Sequence, residues 1–333
     1  MNGAKMVRWC VTGVALLGIS IVIAVNGWRQ PMTQDEREII RELKKTSGNS
    51  FEYDSHGGVE FGGPATTLPR LGAIRSLVRI DVGWNTLCTD FDERHLECLR
   101  GMPNLRRLNF YGHPVSGPAL KVLTTLPALE GLHCTPTDKV VEALQYIGQC
   151  HKLRSLGIGN SKVTDESLAG LTGLENLETL DLRRTLVHND LSPLAHLTKL
   201  RGLDVGDTDL TIAAIRQIGR MTWLERLHLP NVTDEALSSI RDLTQVNFLS
   251  FERTPALTDA GIKHLQNFHN LKKLYMIGGG PFRDSELRIL ATLKQLHVLD
   301  LNHKTVNPGR RQKLEAELPD CRIHWCEPYD GAL

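Results

Sequence analysis

The stretch from Leu177 to Leu200, LETLDLRRTLVHNDLSPLAHLTKL, contains the pattern that decides the fold. It opens with an L-x-x-L-x-L unit over residues 177–182, which has the apolar spacing of a short strand with one buried edge. Thr185 follows at the ninth position, where the chain turns a corner. The next leucines recur at helical spacing: Leu191, Leu194 and Leu197. Neither piece buries its apolar face alone, whereas copies stacked side by side do, as in a solenoid.

Copies of this unit recur at a near-constant step. Their first apolar residues are Leu77, Leu105, Leu129, Leu153, Leu177, Leu200, Leu224, Val246, Leu271 and Leu296. The first step is the longest, and each later step stays close to two dozen positions. A single unit would indicate nothing, but ten at one period predict stacked strand-and-helix repeats.

Thr-Asp pairs stand where the predicted helices begin: Thr137-Asp138, Thr164-Asp165, Thr233-Asp234 and Thr258-Asp259. With the repeats, they resemble leucine-rich repeat proteins from about Leu68 onward, most closely the ribonuclease-inhibitor-like or F-box-associated subtype. Many bacterial membrane-anchored repeat proteins look similar. The resemblance implies an α/β solenoid with a curved parallel sheet on its concave side and helices on its convex side. It also implies that the solenoid binds another macromolecule.

The sequence departs from the family at the ladder asparagine, which stands only at Asn85. Elsewhere the slot holds His113, Thr137, Ser161, Thr185, Thr208, Val232, Thr254, Gly279 and Lys304. We expect a hydroxyl in this slot to bond the backbone of the next turn more weakly.

Residues 1–8 precede an uncharged run over residues 9–28, WCVTGVALLGISIVIAVNGW. A helix of that length rises about 30 Å, the thickness of a hydrocarbon core. Tryptophan at both ends fits the membrane interfaces. We predict a transmembrane helix over residues 9–28. The alternative is a signal peptide cleaved near Val22-Ile23-Ala24.

The charges flanking this run predict its orientation. Lys5 and Arg8 precede it, and Asp35, Glu36 and Glu38 follow soon after Arg29. The positive-inside rule then places residues 1–8 in the cytoplasm and the repeats outside. We therefore predict a single-pass membrane protein with extracytoplasmic repeats. The alternatives are secretion after cleavage and a cytoplasmic-facing domain.

Residues 29–67 are predicted to form an N-terminal cap made of a helix and a hairpin. Thr33 and Glu36 have capping-box spacing, and Phe51–Tyr53 and Val59–Phe61 alternate around a turn. A flexible stalk is the alternative.

The repeats then occupy residues 68–320, in about ten units, and residues 321–333 form a C-terminal cap and tail. We expect Trp325 to cover the exposed end of the core. The strand after Cys321 departs from the pattern, so its register stays open.

Side chains alternate along a strand, so the residues between the buried positions predict the concave surface. The third to sixth units are poor in bulk on this surface, with Gly157, Gly159, Gly202 and Gly206, and predict a shallow, smooth floor. The seventh to ninth units carry the predicted partner-binding residues: Arg226, His228, Phe248, Glu252, Lys273 and Tyr275. Arginine and aromatic residues are common in interface hot spots. We predict that a protein or peptide docks there; the alternative is a merely solvated face.

No catalytic, cofactor or metal site is predicted. The 39 basic and 38 acidic residues balance, which argues against a nucleic acid partner. His133 and His228 face the concave side about 19 Å apart, too far to share one ion. Asp181 and Asp204 lie one strand apart, but on an open sheet beside Arg183 rather than in a cleft.

Whether any cysteines form disulfides stays open, and Cys321 and Cys326 could pair only if the end of the chain is not a straight strand. Cys134 and Cys150 replace leucines of the pattern and are expected in the core. Cys88 and Cys98 flank a predicted helix about 15 Å long, too far apart for a disulfide. Free thiols are uncommon outside the cell, which argues against the predicted orientation.

The sequence therefore predicts a non-enzymatic recognition scaffold, membrane-anchored, that binds a protein or peptide on its concave face. The alternative is a cytoplasmic adaptor or substrate receptor of the F-box-like repeat type, although no F-box precedes Leu68. An enzyme would need a pocket that this pattern does not supply. The oligomeric state and the partner's identity stay open.

Overall fold

A computed structural model describes residues 21–25, 33–46, 51–53, 59–61, 71–82, 92–251, 257–276, 282–302 and 306–326. Its strands are β1 Ile21–Val25, β2 Phe51–Tyr53, β3 Val59–Phe61, β4 Leu77–Val82, β5 Arg107–Ser116, β6 Gly131–Asp138, β7 Ser155–Gly157, β8 Thr179–Asp181, β9 Gly202–Asp204, β10 Arg226–Leu229, β11 Phe248–Phe251, β12 Lys273–Met276, β13 Val298–Asn302 and β14 Arg322–Cys326.

The helices connect these strands. The α-helices of the described residues are α1 Gln34–Thr46, α2 Val140–Gly148, α3 Ile212–Ile218, α4 Asp234–Ser239, α5 Asp259–Lys263, α6 Asp284–Leu290 and α7 Pro308–Glu317. Segments of 3-10 helix are Glu93–Leu99, Pro118–Thr125, Glu166–Leu171, Ser192–His196 and His264–Asn267. The short period of the repeats leaves little room between strands, which explains why the helical segments are short.

Strands β4 to β14 form one parallel sheet in chain order, so that each repeat adds one strand to the same edge. The register is uniform at the repeated leucines, with Leu156 opposite Leu180 and Leu180 opposite Leu203, although the β5–β6 pairing shifts after Asn109. The predicted α/β solenoid of stacked repeats is confirmed.

The core lies between the sheet and the helical side. Leu177, Leu180 and Leu182 of the opening stretch are 0%, 2% and 0% exposed. The leucines at helical spacing that follow them, Leu191, Leu194 and Leu197, are equally buried. One continuous cluster runs from Leu43 to Leu318 through every repeat. Burial of this repeated apolar set is the main force that stacks the units.

The Thr-Asp pairs act differently along the chain. Thr233 and Thr258 cap α4 and α5, and each accepts a hydrogen bond from a backbone N–H, of Ala236 and Ala260, at 3.2 Å. Thr137 and Asp138 lie instead within β6, and Thr164-Asp165 precedes a 3-10 segment.

The aspartates of three of these pairs join neighbouring repeats, among them Asp259, which accepts a hydrogen bond from the Ser285 hydroxyl at 2.9 Å. Asp165 accepts hydrogen bonds from the backbone N–H groups of His188 and Asn189, at 2.8 and 2.9 Å. Asp234 accepts one from the N–H of Thr258 at 2.7 Å. A carboxylate is a strong acceptor, so these bonds fix one repeat against the next.

Three hydroxyls in the ladder slot do not bond the next turn, so that expectation is wrong for them. Ser161, Thr185 and Thr208 donate to carbonyl oxygens three residues earlier, at 2.5, 2.7 and 2.5 Å. In each case the preceding residue is left-handed, with φ of 52°, 53° and 50°. That conformation makes a tight corner and folds the hydroxyl back onto its own strand.

The N-terminal apolar run differs from the predicted helix. Ile21–Val25 form β1, which pairs antiparallel with β4 at the edge of the sheet. The five residues are mostly β-branched, which favours strands, and β4 offers an open edge with unpaired backbone groups. No helix among the described residues has the length and apolar character needed to cross a bilayer. Residues 9–20 and 26–28 lie outside the described part of the chain.

The N-terminal helix contains the expected capping box. The Thr33 N–H donates to Glu36 at 2.8 Å, and the Glu36 N–H donates to the Thr33 hydroxyl at 3.2 Å. Glu36 is 5% exposed and also accepts from the backbone and hydroxyl of Ser76, each at 3.1 Å. This carboxylate ties α1 to the residues just before β4. Strands β2 and β3 form the expected hairpin; the proposed domain limits stay predictions.

The C-terminal strand continues the sheet. β14 pairs parallel with β13 and places Ile323 opposite Leu299, which sets the register that the sequence left open. Trp325 packs against the core, donates its indole N–H to Glu315 at 2.8 Å, and lies under the guanidinium of Arg311 at 5.2 Å. It covers the end of the core, as expected.

Candidate functional site

The sheet has one face turned away from the helices, the face predicted to be concave; we call it the open face. The uniform register aligns its side chains in two rows. The first row runs Arg79, Arg107, Gly131, Ser155, Thr179, Gly202, Arg226, Phe248, Lys273, Val298 and Arg322. The second row runs Asp81, Asn109, His133, Gly157, Asp181, Asp204, His228, Ser250, Tyr275, Asp300 and His324.

Four of the six predicted partner-binding residues form one patch on β10–β12, which we call the aromatic–cationic patch: Arg226, Phe248, Lys273 and Tyr275. The rings of Phe248 and Tyr275 pack together, with centroids 5.2 Å apart and a tilt of 33°. Arg226 and Lys273 are exposed on either side of Phe248, one strand away each. Neither cation makes an ion pair or hydrogen bond in the described part of the chain.

The other two predicted residues stand apart. The Nδ1 atom of His228 lies 3.2 Å from the Asp204 carboxylate, so His228 belongs to a polar group in the middle of the face. Glu252 lies outside the described residues.

The middle of the open face is a charge network. Arg183 lies 2.8 Å from Asp181 and 3.3 Å from Asp204, and so bridges the two carboxylates. Hydrogen bonding to Asp181 raises the pKa of Arg183 further above its usual range. Acid–base work needs carboxyl groups that face a substrate in a pocket, whereas both of these are held by Arg183 on an open sheet. Asp181 and Asp204 are therefore arranged to form surface ion pairs with Arg183.

At two of its four glycines, Gly157 and Gly202, the floor predicted to be smooth is covered by neighbouring side chains. A Cβ atom on Gly157 would lie 2.7 Å from Nδ1 of His133, so the imidazole covers this glycine. A Cβ atom on Gly202 would lie 3.2 Å from the guanidinium of Arg226, which rests on that glycine. The missing side chains make space for large neighbours one strand away. Burial beside Gly157 lowers the pKa of His133.

Two hollows lie on the open face. One of about 500 Å³ is lined by Arg79, Arg107, His133 and Arg154, among others. A second of about 240 Å³ reaches from His133 to Phe248 across β6–β11. A further hollow of about 380 Å³ lies on the helical side between α6 and α7.

A ladder of alternating charges, not predicted from the sequence, runs along the rim where the strands begin. The residues after the first leucine of six consecutive units alternate in sign: Arg106, Glu130, Arg154, Glu178, Arg201 and Glu225. They pair at 3.4, 3.2 and 3.5 Å across neighbouring strands. Each exposed pair contributes only about 0.5 kcal/mol, but the alternation leaves this part of the rim neutral. The signal was visible in the sequence, at the second position of each unit.

Four cysteines of the described residues form no disulfide bond: Cys98, Cys134, Cys150 and Cys321. Cys134 and Cys150 occupy the core, as expected. Burial raises the pKa of Cys150 to about 12 and that of Cys98 to about 11. These thiols are poor nucleophiles near neutral pH. The described residues contain no group of three His, Cys, Asp or Glu placed to hold a metal ion.

Comparisons with known proteins agree on the repeats. Residues 115–307, more than half of the chain, match the family described as a leucine-rich repeat region. The chain is similar to the structure of an internalin (inlF) from Listeria monocytogenes, with 18% identity and a TM-score of 0.53 over 92% of this chain and 79% of that chain. It is also similar to internalin C2 (inlC2) from the same organism, with 16% identity and a TM-score of 0.39 over 79% and 92%. At these identities the likeness concerns the fold alone.

Proposed function

The chain belongs to the leucine-rich repeat family, and we propose that it is a non-enzymatic recognition module that binds a protein or peptide on its open face. The observation that carries the proposal is the aromatic–cationic patch. Two packed rings and two unpaired cations lie together on an exposed sheet in the described part of the chain. The repeat subtype stays a prediction.

The energetics of this patch suit binding. Phe248 and Tyr275 are only half-buried, so apolar ring surface faces solvent. Covering roughly 100 Å² of it contributes about 2.5 kcal/mol. Hot spots combine such rings with arginine, and Arg226 rests on Gly202 as an exposed side chain. The patch therefore has a rigid apolar centre and two polar anchors.

The position of the contact can be tested in cells that make the protein. We expect a photo-crosslinking residue at Lys273 to capture a protein partner, because this position borders the patch. The matched control is the same residue at Lys263, an exposed lysine of helix α5. Adducts from Lys263 alone would move the contact to the helical side.

The contribution of the patch can then be measured on the captured partner. We expect the triple change Arg226→Ala, Phe248→Ala and Tyr275→Ala to weaken binding about a hundredfold, the loss typical of removing hot-spot anchors. Isothermal titration with the purified full chain gives the dissociation constant. The control triple, Arg241→Ala, Val141→Ala and Tyr146→Ala, lies on the helical side and should leave it unchanged. Unchanged binding in the first triple would contradict the placement.

We also propose that residues 9–28 anchor the chain in a membrane or direct its export, with the repeats outside the cytoplasm. What supports this is the length of the uncharged run and its flanking charges. In the anchored state, Ile21–Val25 would leave the edge of β4.

Topology can be tested with Ser47→Cys, just past the anchor in the sequence. We expect a membrane-impermeant thiol reagent to label this variant in intact cells while the protein stays in the membrane fraction. The unsubstituted protein gives the background of native thiols. Protection until lysis would instead favour the cytoplasmic adaptor, which the core thiols Cys134 and Cys150, not joined in disulfides, support.

A further inference from the structure

The first row of the open face ends in an alternating pattern. Across β10 to β14, neighbouring strands contribute Arg226, Phe248, Lys273, Val298 and Arg322 in register. Strands in a sheet lie about 4.8 Å apart, so cations recur about every 10 Å with an apolar side chain halfway between. We call these five residues the cationic row.

The three cations of this row differ from the arginines of the open face that carboxylates hold. Arg79 lies 3.3 Å from Asp81, and Arg183 bridges Asp181 and Asp204. By contrast, the side chains of Arg226, Lys273 and Arg322 make no ion pair or hydrogen bond within the described residues, as is also true of Arg107 on β5. They are exposed, so the chain leaves them hydrated and available.

Nearby charges reinforce the difference. The alternating ladder on the rim ends at Glu225, and Lys272 occupies the same position two strands later without an ion pair among the described residues. Asp300, an acid of the second row, lies opposite Tyr275 and His324. It is 6% exposed and pairs with no cation among the described residues. The described C-terminal end of the open face is therefore more basic than the chain as a whole, which is nearly neutral.

We propose that the cationic row binds an acidic helical segment of the partner. This proposal rests on the proposed function and specifies the class of segment that the open face recognises. Seven residues of α-helix rise about 10.5 Å, so carboxylates at every seventh position match the three cations. Apolar residues three or four positions later lie about 5 Å along the axis and meet Phe248 and Val298. The partner segment is thus amphipathic, with acidic and apolar residues on one face.

Other occupants match the row less well. In an extended peptide, residues about 10 Å apart are three positions apart and point to opposite faces. In single-stranded nucleic acid, neighbouring phosphates are closer together than the cations of the row. Its bases would also need a series of aromatic rings to stack on, and the described part of this face offers no such series beyond Phe248 and Tyr275. The carboxylates of Asp181 and Asp204 would also repel a phosphate chain continuing toward the middle of the face.

The probe is a synthetic helical peptide about three heptads long, with glutamate at every seventh position and leucines midway. We expect it to bind the detergent-solubilised full chain in fluorescence anisotropy, and to weaken as salt rises from about 50 to 300 mM. The triple change Arg226→Gln, Lys273→Gln and Arg322→Gln should weaken it about thirtyfold, the sum of three charge pairs of about 0.7 kcal/mol each.

Two controls separate geometry from net charge. The triple change Lys121→Gln, Lys152→Gln and Lys263→Gln removes three exposed lysines elsewhere and should leave peptide affinity unchanged. A peptide of the same composition with glutamate at every fifth position should bind at least about tenfold less tightly, because its carboxylates leave the cation-facing side. Equal binding of the two peptides would overturn the helical match.

The remaining outcomes also decide the matter. The proposal of an acidic helical ligand is wrong if the peptide does not bind. It is also wrong if single-stranded RNA binds more tightly than the peptide and loses affinity when the three cations of the row are replaced. If Lys273 still captures a protein whose affinity the triple leaves unchanged, recognition on the open face stands and only its acidic ligand fails. If the photo-crosslinking residue at position 273 captures no protein in an otherwise unchanged chain, both proposals fail.

Discussion

Replacing Leu177 with alanine is expected to lower the free energy of unfolding by about 3 kcal/mol. Leu177 is the first apolar residue of its unit and is 0% exposed. Its neighbours in the adjacent repeats, Leu153 and Leu200, are equally buried and fixed by their own strands. The surroundings therefore cannot collapse into the space, and the cavity adds to the lost transfer free energy.

The matched control lies nine positions away in the same stretch. Leu186 is 62% exposed, so Leu186→Ala should change the free energy of unfolding by less than about 0.5 kcal/mol. Urea titration followed by circular dichroism gives both midpoints and both slopes. Because neighbouring repeats stabilise each other, a lower slope for Leu177→Ala would show that the array separates into two parts there. Equal midpoints for the two variants would contradict the assignment of Leu177 to the core.

The repeats were predictable because the core imposes one period on the chain. Every unit must present apolar residues to the same layer, so the positions of Leu180, Leu203 and Leu227 predict both the strands and their register. The same alternation correctly indicated which side chains of each strand lie on the open face. Local periodicity was sufficient here since each repeat contacts mainly its neighbours.

The N-terminal run was not predictable in the same way. Its length and lack of charge fit a membrane helix, whereas Ile21–Val25 pair with β4 in the structure. An apolar, β-branched segment can satisfy its backbone either within a helix or against an open strand edge. The choice depends on whether a bilayer is available, and periodicity carries no information about that.

The site was predictable only in part. The sequence placed Arg226, Phe248, Lys273 and Tyr275 on one face, but it could not show that Arg226 rests on Gly202 or that His228 meets Asp204. Such contacts join residues about two dozen positions apart and depend on side-chain rotamers. The alternating charges of the rim ladder are present in the sequence. Their pairing follows only from the parallel register, which brings the second positions of neighbouring units together.

Replacing Gly148 with alanine is expected to cost about 3 kcal/mol of stability, because the helical side has no room for one more carbon. A Cβ atom on Gly148 would lie 1.9 Å from the carbonyl oxygen of Gly170, in the 3-10 segment Glu166–Leu171. A Cβ atom on Gly170 would in turn lie 2.8 Å from the backbone of Leu144 in α2. Backbone meets backbone here, so no flexible side chain can move aside.

Gly309→Ala separates this packing effect from helix propensity. Gly309 lies in α7, and the nearest atom to an added Cβ is Oδ1 of Asn307, 3.7 Å away. We expect this change to be neutral or to stabilise by up to about 1 kcal/mol, because alanine favours helix. Urea titration of both variants compares them directly. If Gly148→Ala also proved neutral, α2 and the 3-10 segment would have to be free to separate, and the close stacking of neighbouring repeats on the helical side would be wrong.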